Sequence, residues 1–194
     1  TSLGAYYAFQ AAAQSLGIKT DERKQYKAHT VSNTFEGTLA SKSGCHEVTD
    51  TITVYEPQKD DTQFYVTYDD TQEKSRSLFV EKCLKDKDQY TVFFGGNHPK
   101  ITIRTTSESG RRLLIFKDSY ANSFIQFLTP YYEKIILVDP RYYYDNASSI
   151  ITGEEITDVL FLYNLNTYLE DNSLADTLDA AQPEQTDGGD TAAT

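Results

Sequence analysis

The sequence predicts an α/β protein: a parallel sheet covered on both faces by helices, with a β-rich segment at about residues 50–105. Three observations carry this. After Gly110, continuous apolar runs alternate with helix-like stretches, the signature of parallel strands buried on both faces. Between 50 and 105, short runs rich in Val, Ile, Thr, Tyr and Phe follow one another across polar or glycine-containing turns. The chain opens on an amphipathic stretch, "TSLGAYYAFQAAAQSLG".

In order along the chain, Leu3, Tyr6, Tyr7, Phe9, Ala13 and Leu16 recur at helical spacing, and Gly17 offers a stop, so residues 2–17 are expected to be a helix. Residues 18–49 are polar and irregular. The runs "DTITVYE", "QFYVTYDD", "SLFVEKCL", "YTVFF" and "KITIRTT" then suggest a small antiparallel meander, with Gly-Gly-Asn marking a hairpin turn between the last two. From 112 onward "RLLIF" is a strand and "SYANSFIQFLTPYY" a helix. "KIILVD" is a second strand and "GEEITD" a short helical turn. "VLFLY" is a third strand and "NLNTYLEDN" a closing helix.

The length of 194 residues fits one domain, and 39% hydrophobic with 24% charged residues describes an ordinary globular chain. No run approaches eighteen apolar residues, so no membrane span and no signal peptide are expected. The formal charge is −11. The stretch 175–194 contributes −5 of it, through Asp176, Asp179, Glu184, Asp187 and Asp190, and carries no base. Poor in bulky apolar side chains, it is expected to be a disordered acidic tail after a domain of residues 1–174. The remaining charge argues against nucleic acid as a partner, because phosphate binding needs clustered Lys and Arg, and basic runs such as "KCLKDK" are short and mixed with acids. Cys45 and Cys83 show neither CxxC nor zinc spacing, so no metal or cofactor is expected; a disulfide between them and two free thiols remain open. The chain contains no Met, and Thr1 is expected to be a cut edge.

Ligands of parallel α/β sheets bind outside the carboxyl ends of the strands. Three features fall there: Asp118-Ser119, Asp139-Pro140-Arg141, and Asn164-Leu165-Asn166. Ser119, starting its helix, would face unpaired N–H groups suited to a developing oxyanion. Asn166 would offer an amide to the same oxygen, and Arg141 would hold an anionic or polar substrate group. Each also has a plainer role. Asp118 and Ser119 are good N-caps, Asn164 caps the last helix equally well, and Arg141 has many acids to pair with. Of the histidines, His29 and His46 read as surface residues. His98 follows "FFGGN", which is either an anion-binding nest or a hairpin turn.

The block "FKDS" (116–119) resembles the Gly-Asp-Ser nucleophile block of SGNH hydrolases, and "NLNT" (164–167) resembles their Gly-x-Asn-Asp block, with Asn166 at the oxyanion position. Lys117, Asn164 and Thr167 depart from those patterns. More specifically, "GAYYAFQAAAQSLG", "FEGTLASKSG", "FFGGNHPKITI", "LLIFKDSYANSF" and "KIILVDPRYY" resemble the DHHW family, a permuted SGNH branch similar to the alginate O-acetylation proteins. The likeness runs over all but the acidic tail.

That resemblance implies an SGNH-like three-layer α/β/α fold and a Ser-His-Asp triad. Its Asp and His come from an Asp-His-His-Trp motif a few residues before Gly4-Ala5-Tyr6-Tyr7. The motif is therefore expected upstream of Thr1, and Ser119 is expected to lack its base in residues 1–194. The implied chemistry is that of a serine esterase or O-acyltransferase on cell-envelope or extracellular polysaccharide, in an extracytoplasmic setting. The 15 Tyr and 10 Phe, Tyr142-Tyr143-Tyr144 above all, would suit stacking on a carbohydrate, or simply core packing. The alternative is a non-catalytic carbohydrate-binding or structural module on the same scaffold, which Lys117 and Thr167 favour.

Overall fold

The computed structural model describes residues 1–19, 26–58 and 61–179. The first helix, α1 (Ser2–Ser15), is capped by the Thr1 side chain. Strands β1 (Tyr26–Phe35) and β2 (Asp50–Pro57) form an antiparallel pair, with the short helix α2 (Thr38–Ser43) between them. Strands β3 (Phe64–Tyr68), β4 (Lys74–Ser75), β5 (Lys100–Thr105), β6 (Arg112–Lys117), β7 (Lys134–Val138) and β8 (Asp158–Leu162) make one sheet in the order β4-β3-β5-β7-β6-β8. Helices α3 (Ala147–Gly153), α4 (Leu165–Glu170) and α5 (Ser173–Asp179) complete the described elements.

Strands β6, β7 and β8 run parallel as expected. The sheet as a whole is mixed, because β5 pairs antiparallel with β7 and β3 with β5. The β-rich segment is therefore not a separate meander: β3, β4 and β5 extend the main sheet. Side chains alternate across it. Leu113, Ile115, Ile135 and Leu137 enter a core shared with α1, β1–β2 and the 119–132 segment, while Leu114, Phe116, Ile136 and Val138 enter a second core with Tyr143, Ala147 and Ile150. Leu174 and Leu178 of α5 pack against the second core.

Several expectations are corrected. Residues 26–35, expected to be irregular, form β1; bulges at Thr30/Ser32 and Ser32/Phe35 break the alternation that would have revealed a strand. "SLFVEKCL" and "YTVFF" are not strands. They form 3-10 turns at Glu81–Lys85 and Gln89–Val92, joined by a single Phe79–Phe93 bridge. Ser75 and Ser77 each bond the backbone two residues on, which competes with a ladder, and Val92, Phe93 and Phe94 are all buried, which alternation cannot satisfy.

The helix expected over 119–132 is two 3-10 turns, Ser119–Ala121 and Ile125–Phe127. Residues 121–130 are buried without a break, so this segment has no polar face to give to water. Its polar side chains serve the fold instead. Gln126 accepts the Tyr55 N–H at 2.7 Å, and Tyr26 Oη donates to the Phe127 carbonyl at 3.0 Å. The helical turn expected at "GEEITD" lies earlier, as α3, where Asn146 caps it. The acidic stretch begins as the end of α5, since Thr177 is buried and Leu178 packs on the second core; residues 180–194 lie outside the described residues. Cys45 (exposed) and Cys83 (buried) are free thiols.

Helix α1 lies across the first core. The Leu16 carbonyl accepts the Arg111 guanidinium at 2.6 Å beside the amino end of β6, and Phe9 packs on Tyr131, Phe127 and Phe124. Ser2 accepts the Thr53 N–H at 3.2 Å. The carboxyl end of α1 is thus held beside the amino end of β6, and its amino end is held against β2.

Candidate active site

The registers Phe116↔Val138 and Lys117↔Leu162 bring the carboxyl ends of β6, β7 and β8 to one edge. Asp118, Asp139 and Asn164 follow those ends. Because β5 is antiparallel, with Lys100 opposite Val138, the loop before it reaches the same edge, and the Pro99 carbonyl accepts the Asp139 N–H at 3.0 Å.

Asp118 is buried and accepts two main-chain donors, Tyr120 N–H at 2.8 Å and Asn164 N–H at 3.0 Å. It therefore caps the turn that carries Ser119 and ties β6 to the chain leaving β8. Ser119 is half-buried. Its carbonyl accepts Tyr90 Oη at 3.0 Å and the Asn122 N–H at 3.2 Å, while its hydroxyl makes no hydrogen bond among the described residues. The turn it starts is a three-residue 3-10 turn, too short for the macrodipole expected of a long helix.

Beneath the serine lies a buried charged cluster. Lys117 is fully buried, donates to Asn122 Oδ1 at 2.9 Å and sits 3.8 Å from Asp139 Oδ2. Burial pulls its ammonium down to about 8, against the pull of Asp139 in the other direction. Arg141 grips Asp139 through Nε at 2.8 Å and Nη2 at 2.6 Å, and lies over the Tyr142 ring at 5.3 Å. Its hydrogen bond to Asp139 raises its already high pKa. The guanidinium is thus engaged with a buried carboxylate. Asn166 is exposed, its N–H bonded to the capping side chain of Asn164 at 2.8 Å.

The histidines are all held elsewhere. His29 pairs with Glu56 at 3.3 Å and His46 with Glu36 at 2.6 Å. His98 bonds Asp70 at 2.8 Å through Nδ1 and the Phe94 carbonyl at 3.1 Å through Nε2. Phe94, Gly95 and Gly96 adopt φ of 65°, 81° and 128° in succession, and because the residues before them form a 3-10 turn and not a strand, this left-handed bend closes no hairpin.

Sequence reading missed three contributors to this edge: Tyr90, Asn97 and Asn122. Tyr90 and Asn97 belong to the stretch assigned to a meander, and Asn122 to a helix face. The adjoining glycines before Asn97 were the available signal. Among the described residues no group of His, Cys, Asp and Glu is arranged to hold a metal, and no helix is long and apolar enough to cross a membrane.

A family model for DHHW proteins matches residues 1–138. The chain belongs to the DHHW family. Among solved structures, a DHHW family protein from Eubacterium siraeum is similar at 30% identity and a TM-score of 0.77, over 91% of this chain and 60% of that one. Bacillus cereus PatB1, solved with a sulfonyl adduct, is similar at 18% identity and a TM-score of 0.66, over 86% of this chain and 58% of that one. This member of the DHHW family therefore spans about 60% of the length of such relatives. No curated protein matches it.

Proposed function

We propose that Ser119 is the nucleophile of an SGNH-type serine esterase or O-acyltransferase. The observation that carries this is a half-buried hydroxyl, free of hydrogen bonds among the described residues, on a turn whose backbone is fixed from both sides by Asp118 and Tyr90. A preorganised serine with an uncommitted Oγ suits attack on an acyl carbon. The sulfonyl adduct of the Bacillus cereus relative supports the reading, since sulfonyl reagents add to activated nucleophiles.

His46 and His98 are hydrogen-bonded to Glu36 and Asp70, and His29 lies 3.3 Å from Glu56 without making a hydrogen bond to it. The base is therefore assigned to the Asp-His-His-Trp motif that the family resemblance sets ahead of α1. On this reading residues 1–194 alone give no turnover. The substrate is an acyl ester of a cell-envelope or extracellular polysaccharide, met outside the cytoplasm on the three-layer scaffold of SGNH proteins. Exposed Tyr120, beside Ser119, and exposed Tyr142 and Tyr144, just past Asp139, supply stacking surface at this edge.

A second reading, a non-catalytic carbohydrate-binding module, is favoured by the engagement of all three histidines away from Ser119. Labelling separates the two. A fluorophosphonate is applied to residues 1–194 and to the protein carrying the family motif ahead of α1, and the Ser119 peptide is weighed. Modification of Ser119 only in the longer form supports the enzyme. An unmodified serine in both transfers the proposal to the binding module.

A further inference from the structure

The buried Lys117 has no part in the triad chemistry, yet it starts a directed chain of side chains toward the mouth of the site. An ammonium only donates, so Asn122, 2.9 Å away, meets it with Oδ1. That fixes which way the Asn122 amide lies: its Nδ2 faces Asn97 Oδ1, 3.5 Å away. With its oxygen turned toward Asn122, exposed Asn97 turns its own Nδ2 the other way. The backbone under Asn97 is held on both sides. Before it, the Phe94 carbonyl is bonded to His98 at 3.1 Å; after it, the Pro99 carbonyl takes the Asp139 N–H at 3.0 Å. Asn122 in turn bonds the Ser119 carbonyl through its N–H at 3.2 Å, so the relay and the serine share one turn.

Resting on the reading of Ser119 as nucleophile, we infer that Asn97, oriented by Lys117 through Asn122, donates its side-chain N–H to the oxygen that turns negative when Ser119 attacks an acyl carbon. Lys117 and Asn122 are positioning residues, and Asn97 takes the role that the sequence match gave to Asn166. Asn166 is exposed, and its side chain makes no hydrogen bond among the described residues, so nothing pre-sets its amide. Donors aimed in advance at developing charge are the ones that accelerate acyl transfer.

The step balances without a cofactor. Ser119 Oγ bonds to the acyl carbon while its proton passes to the base, and the carbonyl π pair moves onto oxygen, facing Asn97. Collapse restores the C=O bond and expels the leaving alcohol, which regains the proton from the base.

Two measurements test this. In the protein carrying the family motif ahead of α1, hydrolysis of a p-nitrophenyl acyl ester is followed alongside fluorophosphonate labelling of Ser119. Asn97→Ala is expected to lower kcat about 100-fold with little change in KM. Asn122→Asp keeps an acceptor for Lys117 and removes the donor to Asn97; it is expected to lower kcat too, with no further loss in the double variant. Undiminished kcat in Asn97→Ala, or the loss falling on Asn166→Ala instead, overturns the assignment while labelled Ser119 leaves the nucleophile standing. An unlabelled wild-type serine overturns the nucleophile and, with it, the oxyanion role.

The relay has its own readout in residues 1–194, with no reaction needed. Lys117→Met is expected to shift the side-chain amide resonances of both Asn122 and Asn97 in a ¹⁵N–¹H spectrum. A shift confined to Asn122 overturns the relay.

Discussion

Asp118 and Asn164 join two strand ends through one carboxylate: Oδ2 accepts the Asn164 N–H at 3.0 Å while Oδ1 accepts the Tyr120 N–H at 2.8 Å. Both bonds are shielded from water, since Asp118 is only 1% exposed. An aspartate can serve two donors because it is acceptor-only when ionised. The turn that presents Ser119 is thus set by the same group that sets where the chain goes after β8.

Asp118→Asn tests that coupling. The amide offers one oxygen, so its NH₂ must face one of the two N–H groups and leave a buried donor unpaired. Such a loss costs about 1–3 kcal/mol. Urea unfolding is expected to show a lowered midpoint with an unchanged m-value. A midpoint equal to that of the parent would mean that the carboxylate is not holding both strands.

Tyr90 ties the 81–99 region to the site, donating to the Ser119 carbonyl at 3.0 Å and accepting the Ser123 N–H at 3.2 Å. Tyr90→Phe keeps the ring packing on Phe35 and Phe93 and removes only the hydroxyl. Stability is expected to fall by about 1–2 kcal/mol, because the Ser123 N–H loses its partner. In the protein with the family motif, labelling of Ser119 is expected to slow. Unchanged labelling and stability together would show that this region merely abuts the site.

The parallel strands were legible because β6 and β7 are continuous apolar runs, and the edge they create follows from their direction alone. The family was legible too, through long blocks such as "LLIFKDSYANSF". What escaped was structure set by partners far along the chain. β1 is a strand because β2 pairs with it, although its own pattern is broken by two bulges. Residues 119–132 read as a helix, yet they form two short 3-10 turns, and residues 121–130 are buried without the polar face that an amphipathic helix would show. The same cause hid the relay. Lys117 looks from sequence like a departure from a glycine position, and only the fold shows that it is buried against Asn122 and Asp139. Arg141 offered many possible partners in an acidic chain, and the one it takes, Asp139, is two residues away.

Arg111 anchors α1. It bonds Asp158 through Nη2 at 2.6 Å and Nε at 3.2 Å, the Leu16 carbonyl at 2.6 Å, and it lies 4.7 Å over the Tyr132 ring. Arg111→Lys keeps the charge but cannot hold Asp158 in a fork and reach Leu16 at once. A loss of about 1–3 kcal/mol is expected, together with earlier proteolytic cutting near the end of α1. If limited proteolysis cuts elsewhere first, α1 is held by its aromatic packing and not by this residue.

Lys117 gives the fold a pH signature. Burial lowers its pKa from 10.5 to about 8 in the folded protein. Between those values the unfolded chain binds one more proton than the folded one, so stability rises with pH across that window; below about 8 both states are protonated and the penalty is complete. Tyr68 and Tyr132 act in the opposite sense, since burial raises each from 10.0 to about 12. Above about 10 the folded state holds the extra protons and stability falls. The urea midpoint is therefore expected to climb from about pH 7.5 to about pH 9.5 and then turn down. Lys117→Met removes the climb and keeps the descent, and its loss does not orphan Asp139, which retains Arg141 at 2.6 Å. If parent and variant rise with the same slope between pH 8 and 9.5, the ammonium titrates elsewhere and Lys117 is not the source of the penalty.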